Sequence, residues 1–124
     1  MQKSQSDTNY QSPKFVSLLS SGLDSPIATY LIMRQGYDCE SISFLNGKQK
    51  ADINKEKILN IGNRLTELTN QRIDMHFVNY DYFLDELTSI PDQRLSCVLC
   101  KRNMIRIAVE LVRKIKGHFI VNGD

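Results

Sequence analysis

Apolar residues in this chain come in short blocks separated by polar stretches, and two kinds of spacing alternate. The block "KFVSLL" at 14–19 is too continuously apolar for a half-exposed strand and predicts a central parallel strand, buried on both faces. The following "PIATYLIMRQG" reads as a helix from Pro26 to Gln35. Ser25 is its cap, Pro26 its first helical residue, and Gly36 takes the left-handed conformation beyond its end. Ile27, Ala28, Tyr30, Leu31, Ile32 and Met33 are apolar almost all round, so neighbours are expected to cover this helix well. "DCESISFLN" at 38–46 is a second strand. Ile58, Ile61, Leu65 and Leu68 recur at helical spacing in an otherwise polar segment, predicting an amphipathic surface helix over about 54–68. "QRIDMHFVNY" at 71–80 supplies a third strand, "YFLDELTSI" at 82–90 a short helix, "KRNMIRIAVELVRKIK" at 101–116 a longer one, and "GHFIVNG" at 117–123 a fourth strand. Strand and helix alternate throughout. The fold class is therefore α/β, a parallel sheet of about four strands sandwiched by helices.

At 124 residues the chain is one domain with room for a hydrophobic core that needs no disulfide or structural metal. Apolar content of 41% and charged content of 24% are ordinary for a soluble protein, and no apolar run approaches a membrane span. The first residues, "MQKSQSDTNYQSPK", are polar and lack a signal-peptide core, so 1–14 reads as a disordered arm before a domain over 15–124. A cytoplasmic location is the expectation. Three cysteines is an odd count, which argues against a secreted disulfide framework and leaves thiols available for chemistry or metal. The net charge of +2 hides an asymmetry: 94–116 holds Arg94, Lys101, Arg102, Arg106, Arg113, Lys114 and Lys116 against Glu110 alone. Arg102, Arg106 and Arg113 fall on one helical face and Met104, Ala108, Leu111 and Ile115 on the opposite one. Such a stripe is usually a solvated face, and its functional reading is contact with a phosphate backbone.

The stretch "SLLSSGLDSP" ends the first strand in a polar knot and opens a helix. In open parallel sheets, ligands bind beyond the carboxyl ends of the strands, near the point where strand order reverses. A tight loop of backbone N–H groups at a helix N-terminus forms an anion site there, and phosphate is the natural guest. Gly22 permits a backbone conformation that most residues resist, while Ser20, Ser21 and Ser25 add hydroxyl donors. Asp24 would repel a phosphate unless a cation such as Mg²⁺ lies between them. The plainer reading is that this sequence merely ends a strand and caps a helix. There is no Gly-x-x-x-x-Gly-Lys-Ser/Thr and no Gly-x-Gly-x-x-Gly. A second landmark is "SCVLCKRNMIRIAVEL". Its Cys-x-x-Cys fits half a zinc site, a redox pair, two iron–sulfur ligands, or coincidence. Cys97 is expected before the helix and Cys100 near its first turn, where the positive dipole end with Lys101 and Arg102 favours thiolate. Cys39 lies in an apolar strand and reads as a small buried hydrophobe.

Ser20-Ser21-Gly22-Leu23-Asp24-Ser25 resembles the PP-loop, Ser-Gly-Gly-x-Asp-Ser, of the ATP pyrophosphatase superfamily, with Ser21 in place of the first glycine. The "PIATYLIMRQG" that follows, and the later Cys-x-x-Cys-Lys-Arg with Met-x-Arg-Ile-Ala, are similar to the tRNA 4-thiouridine (thiamine-biosynthesis) sulfurtransferase branch. The resemblance covers about 15–124. It implies an adenine nucleotide alpha hydrolase-like fold, ATP and Mg²⁺ as cofactors, and a reaction in which a tRNA uridine is adenylated before a sulfur donor displaces AMP. It also implies roles. The loop Ser20, Ser21, Gly22, Leu23, Asp24 and Ser25 would cradle pyrophosphate, with Gly123 and Asp124 beside it, and Asp24 would hold Mg²⁺. Cys97 and Cys100 would carry sulfur or ligate an iron–sulfur cluster. Relative to that family the chain reads as truncated after "VNGD", half of a Gly-Asp/Glu-Ser motif, with an exposed strand edge that invites a partner or a second copy. The expected partners are tRNA and a sulfur-donor protein or sulfide. The competing class is a non-catalytic nucleotide-binding or assembly module; a small-molecule ligase of the same superfamily is disfavoured by the pairing of Cys-x-x-Cys with Arg-Ile-Ala.

Overall fold

The computed structural model describes residues 12–123, apart from the side chains of Lys48 and Gln49. The elements run β1 (Lys14–Leu18), α1 (Asp24–Met33), β2 (Asp38–Leu45), α2 (Lys48–Thr69), β3 (Ile73–Asn79), α3 (Asp81–Leu87), α4 (Gln93–Ile115) and β4 (Phe119–Asn122). All pairings are parallel and the strand order is β3-β2-β1-β4. The α/β class and the parallel four-stranded sheet are as the alternation predicts. The chain steps outward from β1 through β2 to β3, then returns to place β4 on the other side of β1. Strand order therefore reverses between β1 and β4, and the β1–α1 loop stands at that point. Lys14 and Pro13 already belong to the folded unit, since the Pro13 carbonyl accepts the Asp38 N–H at 2.8 Å. Residues 1–11 of the expected arm, and Asp124, lie outside the described residues.

β1 is central and its middle residues Phe15, Val16 and Ser17 are fully buried, as a doubly covered strand requires. Alternation of its side chains divides the core in two. On the face beneath α1 and α2, Phe15 and Leu19 join Met33, Cys39, Ile58 and Leu65; on the other, Val16 and Ile42 pack on Ala108 of α4. Phe15 stacks on Phe119 with ring centres 5.6 Å apart, tying β1 to β4 by side chains as well as by the ladder. Cys39 sits in this core; burial, with the neighbouring Glu40 carboxylate, pushes its thiol up to about 12. His76 meets Glu40 at 2.8 Å across β3 and β2. No helix among the described residues is long and apolar enough to cross a membrane.

Five expectations need correction. α1 begins at Asp24, two residues before Pro26, and is not covered all round: Ile27 is 56% and Leu31 48% exposed. α2 begins at Lys48 instead of about 54, because its first turns are polar and carry no apolar period to betray them. At its far end Leu68 is 52% exposed and lies outside the stripe formed by Ile58, Ile61 and Leu65. α4 begins at Gln93, where the Asp92 side chain caps it by accepting the Arg94 N–H at 2.9 Å.

Small hydroxyl residues line the contact of α1 with β1 and β2. Ser17 Oγ and Thr29 Oγ1 stand 2.6 Å apart, Thr29 Oγ1 donates to the Ser25 carbonyl at 2.6 Å, and Ser43 Oγ donates to the Leu19 carbonyl at 2.7 Å. Ser41 Oγ, equally buried, has no hydrogen-bond partner among the described residues. A buried hydroxyl without a partner costs free energy, whereas a partnered one contributes about 1 kcal/mol net. Ser41→Ala should leave stability to urea unchanged or raise it, while Ser17→Ala should lower it by about 1–2 kcal/mol. Equal losses in both variants would show that the two hydroxyls are not distinguished in this way.

Candidate functional site

The residues between β1 and α1 have little room to choose their path, because Leu18 lies in the middle of the sheet and α1 starts at Asp24. The loop is held at both ends by the scaffold hydroxyls of Ser43 and Thr29. Inside it, the Ser25 hydroxyl accepts the Ser20 N–H at 2.9 Å and lies 3.1 Å from Ser20 Oγ. Ser25 therefore does not cap α1, contrary to expectation; its hydroxyl closes the loop into a ring. The N-cap position is occupied by Leu23, with no side-chain cap hydrogen bond. The first N–H groups of a helix have no partner within it, so those of α1 are left to a ligand or to water.

A cavity of about 410 Å³ opens at this place, within the usual range for small-molecule sites. Ser20, Ser21, Gly22, Leu23, Asp24 and Ser25 form one wall, and Asn122 and Gly123 come in from the end of β4. Every described residue assigned to the nucleotide from sequence thus borders one space. Ser20, Ser21 and Asp24 are exposed at it and Ser25 is buried behind it. The far wall is apolar, built from Ile42, Phe44 and Leu45 of β2, Ile58 of α2, and Met104 and Ile105 of α4, with Asn54 and Lys101 as its polar members. The sequence did not single out Asn54, since nothing marks the turn of α2 that carries it, and it marked Lys101 as part of the basic segment and a neighbour of the thiols, not as a member of this cavity.

The two glycines act differently. Gly22 does not use a positive φ, and a Cβ there would meet only Ser20 Oγ at 3.6 Å, so the expected unusual backbone is not what the position requires. Its lack of a side chain keeps the cavity wall open. Gly123 is required sterically: a Cβ would lie 2.5 Å from the Ser25 nitrogen and 2.7 Å from its Cα, with backbone that cannot step aside. Only glycine lets the end of β4 abut the first turn of α1. The exposed Asp24 carboxylate, one acid beside an anion cradle, suits a Mg²⁺ ion that arrives with phosphates and keeps several waters.

Cys97 and Cys100 do not line the cavity. They lie in the second and third turns of α4, not at its start, so the argument from the helix mouth does not apply to them. Cys97 is exposed and Cys100 half-buried. Among the described residues no group of three or more His, Cys, Asp or Glu converges, so these two thiols find no third protein ligand for an iron–sulfur cluster there, and no step is derived through one. The thiols are nonetheless close to the cavity along the helix, since the next residue, Lys101, borders it. Arg102, Arg106 and Arg113 are exposed as expected, Arg113 pairing with Glu110 at 3.2 Å.

The family model described as "Thiamine biosynthesis protein (ThiI)" matches residues 10–124. The chain is similar to a "Probable tRNA sulfurtransferase" of Anoxybacillus flavithermus, 31% identical over 113 residues, which are 91% of this chain and 28% of that protein. A protein of the same description from Methanocaldococcus jannaschii is 29% identical over 118 residues, covering 90% of this chain and 29% of the relative. Among solved structures, "Crystal structure of a 4-thiouridine synthetase - RNA complex with bound ATP" superposes with a TM-score of 0.81 at 27% identity, over 90% of this chain and 29% of that one. The chain thus spans less than a third of the length of these relatives. The match from residue 10 to residue 124 runs through the loop, the sheet and the Cys-x-x-Cys helix alike, and the chain belongs to the thiamine biosynthesis protein (ThiI) family.

Proposed function

We propose that this chain is the nucleotide-binding and sulfur-handling part of an ATP-dependent tRNA sulfurtransferase, which adenylates a uridine and replaces its C4 oxygen with sulfur. The observation that carries this reading is the single cavity that gathers Ser20–Ser25 and Gly123 at an uncapped helix N-terminus. The RNA and ATP of the solved relative support it. ATP would lie with its β- and γ-phosphates on the loop and its apolar base and sugar faces toward Ile42, Phe44 and Ile58. The uridine O4 would attack the α-phosphorus, the bond to the bridging oxygen would break, and pyrophosphate would leave onto the N–H groups at the start of α1. Mg²⁺ held by Asp24 would neutralise phosphate charge. The outer sulfur of a persulfide on one of Cys97 and Cys100, loaded by a sulfur donor, would then attack C4 and expel AMP, leaving that cysteine joined to the nucleoside through a disulfide; the other thiol would attack the cysteine sulfur, release 4-thiouridine and form a Cys97–Cys100 disulfide, which an external thiol reductant returns to two thiols. The exposed arginines of α4 are suited to RNA phosphates, and the outer edge of β4, unpaired among the described residues, is suited to a further strand from a partner or a second copy.

ATP–pyrophosphate exchange in the presence of Mg²⁺ and tRNA tests adenylation. Exchange should occur in the wild type, fall at least about tenfold in Asp24→Asn, and vanish in Gly22→Val, whose side chain stands in the cavity wall. ATP binding without any exchange would favour the nucleotide-binding module instead. The thiols have their own test. With limiting iodoacetamide near neutral pH, mass spectrometry should find Cys97 and Cys100 alkylated well before Cys39, whose thiol is buried and pushed up to about 12. Labelling of Cys39 first would contradict the assignment of sulfur chemistry to α4.

A further inference from the structure

We propose that the Tyr80 hydroxyl is a positioning group that holds Cys100, and the turn of α4 around it, against the wall of the nucleotide cavity. The proposal rests on the sulfur role given to Cys100 above. Tyr80 follows the end of β3 and is 2% exposed, an unusual depth for a tyrosine beside a surface helix. Its N–H donates to the Leu45 carbonyl at 2.8 Å, and its ring meets Phe44 edge-on at 5.1 Å and Phe83 at 5.2 Å. Phe44 and Leu45 both line the cavity. One side of Tyr80 is therefore packed on the cavity wall.

The other side reaches α4. The hydroxyl donates its one proton to the Cys100 carbonyl at 3.1 Å and accepts from Asn103 Nδ2 at 3.2 Å. A carbonyl has two lone pairs, so this bond can stand beside the helix's own. Burial raises the phenol's pKa above its ordinary value, a rise opposed by the Asn103 hydrogen bond and reinforced by Cys100, so the group stays a donor at neutral pH. Cys97, one turn earlier, is exposed, and none of these bonds reaches it. The two thiols are thus not equivalent: Cys100 is clamped and Cys97 is not. Because Lys101, Met104 and Ile105 border the cavity just beyond the clamp, its release would shift them together with Cys100. The clamp sets the register between nucleotide and sulfur.

Tyr80→Phe keeps the ring and removes the hydroxyl. The readout is the ratio of Cys100 to Cys97 alkylation in the reduced full chain under limiting iodoacetamide, with circular dichroism to check the fold. The ratio should rise by about threefold or more, the scale of one net hydrogen bond, while Cys39 stays unlabelled. An unchanged ratio overturns the proposal, as does a parallel rise at Cys97, Cys100 and Cys39, which is general loosening. Asn103→Leu, which strips the phenol of its donor and spares the ring packing, should shift the ratio in the same direction. It decides the matter if Tyr80→Phe does not fold, and no shift in it then overturns the proposal. No nucleotide is needed for this ratio. Failure of ATP binding would therefore sink the nucleotide reading and leave the clamp standing, and an unchanged ratio in a chain that binds ATP would do the reverse.

Discussion

Thr29 Oγ1 stands 2.6 Å from Ser17 Oγ and 2.6 Å from the Ser25 carbonyl, and the candidate site depends on this three-way contact. A strand in the middle of a sheet must leave its layer at once to start a helix above it, and its last carbonyls are then buried with no ladder partner. At the strand end Ser43 supplies a partner to the Leu19 carbonyl; Thr29, one turn into α1, bonds back to the Ser25 carbonyl within the helix and meets Ser17 of the strand, and Ser25 bonds across the loop to Ser20. The loop is consequently shaped before any ligand arrives. A preorganised donor set loses little freedom on binding, and it can stabilise a leaving group without rearranging.

The order of strands turns that local geometry into a site. With β4 returned to the far side of β1, the end of one strand comes to rest against the first turn of the helix that follows the other. Gly123 makes the approach possible, since any side chain would strike Ser25 backbone. The same return carries α4 across the second face of the sheet, where Ala108 packs on Val16 and Ile42. That packing sets Lys101, Met104 and Ile105 at the cavity and leaves Cys97 and Cys100 one turn away from it. One helix thus borders the proposed nucleotide site and bears the proposed sulfur site.

Much of this was legible in the residues and part was not, for identifiable reasons. Continuous apolar strands and the polar knot after β1 speak through composition alone, so the sheet and the loop were readable. Helix starts were read less well. The first turns of α2 are mostly polar, with Ile53 exposed and no apolar repeat, and the cap of α4 is a single aspartate after Pro91, eight residues before the Cys-x-x-Cys ends. Missing that cap moved both cysteines to the helix mouth and invited a dipole argument that the fold does not support. Ser25 reads as a cap because serines before helices usually cap; here its hydroxyl is drawn back by Ser20. The bond of Tyr80 to Cys100 joins residues twenty apart, which no local pattern can announce.

The proposed nucleotide site stands or falls on whether phosphate binds at the preshaped loop. Backbone amide shifts of the isotope-labelled protein, followed while inorganic pyrophosphate and then Mg²⁺ with ATP are added, test it residue by residue. Saturable shifts are expected at Ser20 to Ser25 and at Asn122 and Gly123 with both ligands, spreading to Asn54, Ile58 and Lys101 with ATP alone. Shifts confined to other surfaces, or none at Gly22 and Gly123 at saturating ligand, would contradict it.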